Sequence, residues 1–157
     1  RPTLIYGAGL DRSLTPLARR AVRWHVFPLL PAARGLRQPV HAEDLATLCR
    51  AAISRDAAVG RSFDLGGGER LAFATMLERI RQSLPGWTVP VPVPLAALHL
   101  ASRLAGGSGI WHGLGPAMLA RLEVDLLADD GPARQRLDWS PRPFHPRAAT
   151  WVPPPLI

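Results

Sequence analysis

Leu45, Leu48, Cys49, Ala52 and Ile53 recur at the i, i+3, i+4, i+7 and i+8 spacing of a single helical face. Glu43 and Asp44 precede them, where negative charge favours the positive end of a helix dipole. The pattern predicts a helix after His41 with Cys49 packed inward. A second helical face carries Phe73, Met76, Leu77, Ile80 and Leu84, with Glu78, Arg79 and Arg81 opposite. A third runs from Thr15, as the capping side chain, and Pro16 to about Trp24, with Leu17, Ala21 and Trp24 facing inward.

Shorter apolar runs read as extended chain: Leu4 to Tyr6, Val26 to Leu30, Leu36 to Val40, and Ser62 to Leu65. Their alternation with helices up to residue 84 predicts an α/β fold with parallel strand pairing. Beyond Gly86 the character changes. Trp87 to Val93 alternates valine with proline, the mark of an edge strand or connector. Helices are expected over Pro94 to Leu104, Pro116 to about Leu127 and Pro132 to Leu137, with a glycine-rich break at 106–109. Pro141, Pro143, Pro146 and Pro153 to Pro155 then argue against regular structure in the tail.

Composition narrows the function classes. The 157 residues suit one domain or two small lobes, and 47% hydrophobic residues suit a packed core. One cysteine excludes an internal disulfide, which points to a reducing, cytoplasmic setting. No uninterrupted apolar run reaches the length of a spanning helix, no signal peptide opens the chain, and no membrane partner is expected. The net charge of +7 comes from 19 basic residues, all arginine and mostly dispersed. Nucleic-acid binders gather charge on one face, so no nucleic-acid partner is expected. Without any lysine, a Schiff base, a P-loop and a Tyr-x-x-x-Lys catalytic pair are impossible within this chain.

The candidate motifs are individually weak. Gly7-Ala8-Gly9 begins like a dinucleotide fingerprint, but Arg12 stands where the third glycine should be, so a strand-to-loop turn is the better reading. Gly66-Gly67-Gly68 reads as a turn from strand to helix rather than a phosphate cradle, and Glu69 as an exposed loop carboxylate. His41 with Glu43 and Asp44 is the densest polar group; closing an extended segment and starting a helix accounts for it better than acid–base or metal chemistry does. No pair of histidines has metal-ligand spacing.

Three segments in order carry more weight: Arg1-Pro2-Thr3-Leu4-Ile5-Tyr6-Gly7, then Arg37-Gln38-Pro39-Val40-His41-Ala42-Glu43-Asp44, then Phe63-Asp64-Leu65-Gly66-Gly67-Gly68-Glu69. With the Asp138-Trp139-Ser140-Pro141 ending, this succession resembles the C-terminal half of an extended or atypical short-chain dehydrogenase/reductase of the NAD-dependent epimerase/dehydratase group. The resemblance implies the last strands of a Rossmann-like parallel sheet with a small, mostly helical substrate-side lobe. Residues 1–86 would hold those strands and part of the lobe, and residues 87–157 the rest of the lobe and the tail.

By the same resemblance, Pro2, Thr3 and Ile5 would pass near the nicotinamide of NAD or NADP. Arg37 and Gln38 would contact a small-molecule substrate such as a nucleotide sugar; a guanidinium fork suits diphosphate oxygens. Pairing with a nearby acid is the plain alternative for Arg37. The family's glycine loop and tyrosine–lysine pair do not occur here, and Ala72 stands where a serine or threonine cap is usual. The chain should therefore lack activity and cofactor by itself and need a missing N-terminal half or a second chain, with a homo-oligomer as a further option. A non-catalytic scaffold of the same fold is the alternative.

Overall fold

The computed structural model describes residues 1–104 and 116–152, with the side chains of 101–104 and 116–119 left aside. The expected break at 106–109 and Pro153 to Pro155 lie outside the described residues. The elements in order are β1 (Ile5–Tyr6), α1 (Leu14–Trp24), β2 (Val26–Leu29), β3 (Leu36–Arg37), β4 (Val40–His41), α2 (Ala42–Ala52), β5 (Leu71–Ala72), α3 (Phe73–Ser83), β6 (Val89–Pro92), α4 (Leu95–Leu104), α5 (Pro116–Glu123) and α6 (Gly131–Leu137). One-turn 3₁₀ segments cover Asp56–Ala58 and Ala148–Trp151. The fold is α/β, as the alternation implied.

Pairing is parallel for β1 with β4 and for β2 with β6, and antiparallel for β3 with β5. Residues 1–6 have a neighbour on each side. Toward one, the Thr3 amide donates to Leu65 O and the Leu65 amide to Arg1 O; toward the other, the Val40 amide donates to Leu4 O. Only a single bridge, Pro2 to Leu65, stands where Ser62 to Leu65 was expected to form a strand.

The main core joins Tyr6, Ala18, Phe27, Met76, Leu77 and Ile80 to Phe144 and Trp151 from the far end of the chain. The helical face read for α3 is the buried one. Burial depends on reach as well as spacing, and here several expectations need correction. Trp24 and Cys49 are exposed, as is Ile53 just past α2. In α1 the inward face is Leu14, Thr15, Ala18 and Ala21, so the last turn projects past the core and carries Trp24 into solvent. In α2 only Leu48 is buried, in a small cluster with Ala133 and Leu137 of α6 that is separate from the main core.

Helix α1 is not capped by Thr15. Asp11 caps it, its Oδ1 accepting from the amides of Ser13, Leu14 and Thr15 at 3.1, 2.6 and 3.0 Å. That satisfies donors the first helical turn would otherwise leave open. The tail, expected to be irregular, forms the Ala148–Trp151 turn between its prolines, which seats the buried Trp151 with Nε1 donating to Ser83 Oγ at 2.9 Å.

Candidate functional site

Strand β1 ends in a turn of three consecutive positive-φ residues, Gly7, Ala8 and Gly9. A Cβ at Gly7 would lie 2.6 Å from His41 Nε2, so side-chain bulk is excluded there. Past this turn, the carboxyl end of β1 and the starts of α1 and α2 enclose an open concavity of about 480 Å³, lined by Thr3, Ile5, Gly7, Leu10, Arg12 and Ala42 among others. Crevices at the carboxyl ends of parallel strands are where open α/β sheets take ligands.

Of the residues expected at a cofactor, Thr3 and Ile5 line this groove, whereas Pro2 is exposed at the bridge to Leu65. The Thr3 hydroxyl donates to Gln38 O, so its proton is committed within the fold. Leu10, Asp11 and Arg12 also belong to the groove, and no motif in the sequence singled them out. The usable signal was Asp11 two residues before Ser13, a cap placed just ahead of a helical pattern.

His41 forms the wall behind Gly7. Its Nδ1 accepts from the Glu43 amide at 3.2 Å, so the neutral ring carries its proton on Nε2. Burial lowers its pKa below the ordinary 6.5, and Arg142 adds to that against the opposing pull of Glu43 and Asp44. Tyr6 packs edge-on against both His41 and Phe144, at 5.0 and 4.8 Å between ring centroids. Burial pushes its phenol up to about 12, so it stays protonated through neutral pH. Glu43 and Asp44 do more than start α2. Asp44 accepts from the Arg142 amide and Nε at 2.9 and 2.8 Å, and Glu43 from its Nη1 at 3.1 Å, pinning the tail.

Arg37 and Gln38 lie away from the groove, and both are buried. The Arg37 guanidinium donates to Leu36 O and Val124 O at 2.8 and 2.9 Å and to Arg121 O. It stands over the Phe73 ring at 5.2 Å and holds the carbonyl end of α5, where a cation suits the dipole. Gln38 Nε2 donates to Gly67 O at 3.0 Å and to Asp130 Oδ2 at 3.3 Å, and its Oε1 accepts from the Ala128 amide at 3.2 Å. Among the described residues no group of three His, Cys, Asp or Glu could hold a metal ion.

Gly66-Gly67-Gly68 is explained by close approach. A Cβ at Gly66 would sit 2.1 Å from Gln38 Cδ, at Gly67 1.8 Å from Pro39 O, and at Gly68 2.4 Å from Pro141 O. None of the three has a positive φ. Glu69, read as an exposed loop acid, is half-buried and bound by Arg79 at 2.7 and 2.8 Å. That hydrogen bond holds its carboxyl below the usual 4.5, with burial opposing. The folded state therefore binds this proton less readily than the unfolded chain. The stabilisation is present above about pH 4.5 and drains away as the pH falls through and below it. Urea midpoints measured between about pH 6 and pH 3 should drop, and Glu69→Gln should flatten that drop.

Against known proteins, the chain is 26% identical over 141 residues to a UDP-glucose 4-epimerase of Vibrio cholerae, matching 90% of itself and 40% of that protein. The chain is homologous to part of an epimerase/dehydratase enzyme. This is the kinship implied by the segments at 1–7, 37–44 and 63–69. Its fold is that of a UDP-glucose 4-epimerase from Thermotoga maritima solved with UDP-glucose (TM-score 0.64, 14% identity, 96% of this chain and 43% of that one). A dTDP-glucose 4,6-dehydratase from Bacillus anthracis solved with NAD is similar too (TM-score 0.63, 16% identity, 96% and 42%). No family model matches. The chain thus spans about two fifths of the length of its relatives. No helix among the described residues is long and apolar enough to cross a membrane.

Proposed function

We propose that this chain is the C-terminal portion of an NAD(P)-dependent epimerase, dehydratase or reductase acting on a small molecule of the nucleotide-sugar class. The observation that carries this reading is the groove at the end of β1, with Thr3 and Ile5 on its wall, in a chain homologous to a UDP-glucose 4-epimerase. Residues 1–86 supply the sheet remnant and residues 87–157 the substrate-side lobe, fastened back by Phe144 and Trp151.

The groove suits one part of a dinucleotide. Ile5 and Leu10 offer an apolar wall for the flat face of a nicotinamide. No glycine-rich phosphate loop and no tyrosine–lysine pair accompanies it, so the diphosphate and the hydride chemistry must be served from elsewhere. When bound, the nicotinamide would supply the hydride; these residues would bind, orient and keep water from one face. Arg37 and Gln38 serve the substrate side of the proposal by setting the Gly66–Gly68 turn and the end of α5. For Arg37 to reach a substrate phosphate itself, it would have to release one of its carbonyl partners.

Fluorescence titration of the chain with NADH and NADPH is the test. Negligible binding by the monomer is expected. Micromolar affinity of the chain alone would overturn the proposal, because it would require a complete dinucleotide site within these residues.

A further inference from the structure

His41 stands where three segments meet. Its ring lies against Gly7, where an added Cβ would come within 2.6 Å of Nε2. It packs edge-on to the Tyr6 ring, at 90° between planes. It is also the N-cap of α2, with Nδ1 accepting from the Glu43 amide. Gly7, which the ring touches, and Ala42, which follows it in the chain, both line the groove.

Histidine is an uncommon cap. Serine, threonine, asparagine and aspartate accept from helix amides throughout the neutral range, whereas an imidazole nitrogen accepts only while it carries no proton. Once Nδ1 is protonated, two N–H donors face each other across the cap, and a cation sits at the positive end of the α2 dipole. Only 12% of the side chain is exposed, so little water softens that conflict.

The surrounding groups decide how it is relieved. From β1 comes Tyr6, whose phenol stays neutral. From the tail comes Arg142, whose guanidinium opposes a second positive charge. From α2 come Glu43 and Asp44, which favour one, but both are already engaged by Arg142, at 3.1 and 2.7 Å. Glu43 Oε2 is 3.8 Å from Nδ1, so a charged ring reaches it by moving closer, in competition with Arg142. Nδ1 and Nε2 point to different sides of the ring, and a shift toward Glu43 draws the Nε2 side off Gly7.

We propose that His41 is a proton-operated wedge: when charged it releases the α2 cap and backs away from Gly7, so that mild acid loosens the groove wall and the tail clamp together. Burial and Arg142 keep the ring neutral at pH 7 and set the change below the ordinary 6.5. The device belongs to the wall itself and does not depend on what the groove binds.

An NMR titration of the isotope-labelled chain from about pH 7.5 to about pH 5 tests it. The His41 ring and the amides of Gly7, Glu43 and Arg142 should shift with one shared midpoint below 6.5. In His41→Asn, whose cap accepts at every pH, those amides should stay in place. Urea unfolding gives a second readout. The folded chain takes this proton less readily than the unfolded chain, so the stabilisation is present above about pH 6.5 and is lost as the pH falls through and below it. From about pH 7.5 to about pH 5.5 the folding constant of the parent should drop by about threefold or more, and that of the exposed control His145→Gln equally. His41→Asn, and His41→Gln with more bulk retained, should each drop by less than about 1.5-fold. A ring that titrates while the Gly7 and Glu43 amides stay still overturns the proposal. So do amide shifts of the same size in His41→Asn, or a pH dependence that survives both His41 changes.

Discussion

Replacing Gly67 with alanine should destabilise the fold by roughly 3–4 kcal/mol, at the upper end for forcing bulk into packed structure. The added carbon would lie 1.8 Å from Pro39 O and 2.7 Å from its carbonyl carbon. Both are backbone atoms, so no rotamer change relieves the overlap. The Gly67 amide must also keep its 3.2 Å bond to Gln38 O, which holds the two segments at this distance. With total stabilities of about 5–15 kcal/mol, the variant would lose a large share of its margin. A urea midpoint by circular dichroism reads the loss. Gly131→Ala is the control: its nearest contact is the Asp129 side chain at 3.3 Å, and it should move the midpoint by no more than about 0.5 kcal/mol. Equal effects at 67 and 131 would mean the close approach is not rigid.

Gln38→Ala should cost about 3 kcal/mol by a different route. The change leaves the buried Gly67 carbonyl and Ala128 amide without their side-chain partner and opens a void besides. Asp130 keeps Arg134 at 2.8 Å, so its carboxylate is not stranded. A double-mutant cycle adds a signature that ordinary cavity formation lacks. Gly66→Ala alone would drive its Cβ into the Gln38 side chain, at 2.1 Å from Cδ. In a Gln38→Ala background that obstacle is gone. The two changes together should therefore cost clearly less than the sum of the singles, by about 1 kcal/mol or more. Strict additivity would place the strain at Gly66 elsewhere.

The glycine triplet also illustrates which parts of the molecule can be read from sequence and which cannot. Helix α3 was legible because Met76, Leu77 and Ile80 repeat every three to four positions, a local property. The triplet looked like a plain strand-to-helix turn because its constraint arises from Gln38, Pro39, Pro141 and Arg142, far away along the chain. Arg37 looked like an anion fork for the same reason: nothing local reveals that the carbonyls of Arg121 and Val124 wait for it. Trp24 and Cys49 fit an inward helical stripe, yet periodicity fixes only direction, and the core ends before it reaches them. The groove was half legible. Thr3 and Ile5 were named through kinship, while Leu10, Asp11 and Arg12 follow from where the Gly7–Gly9 turn sends the chain.

The placement of residues 1–6 between Leu65 and Val40 bears on how the molecule assembles. During synthesis this stretch leaves the ribosome ahead of both segments that clasp it, one some 35 positions later and the other some 60. Loop closures of that span are slow to form, so the local helices should organise first and the opening stretch should be captured late. Until then Tyr6, buried in the finished core, lacks the His41 and Phe144 rings it packs against.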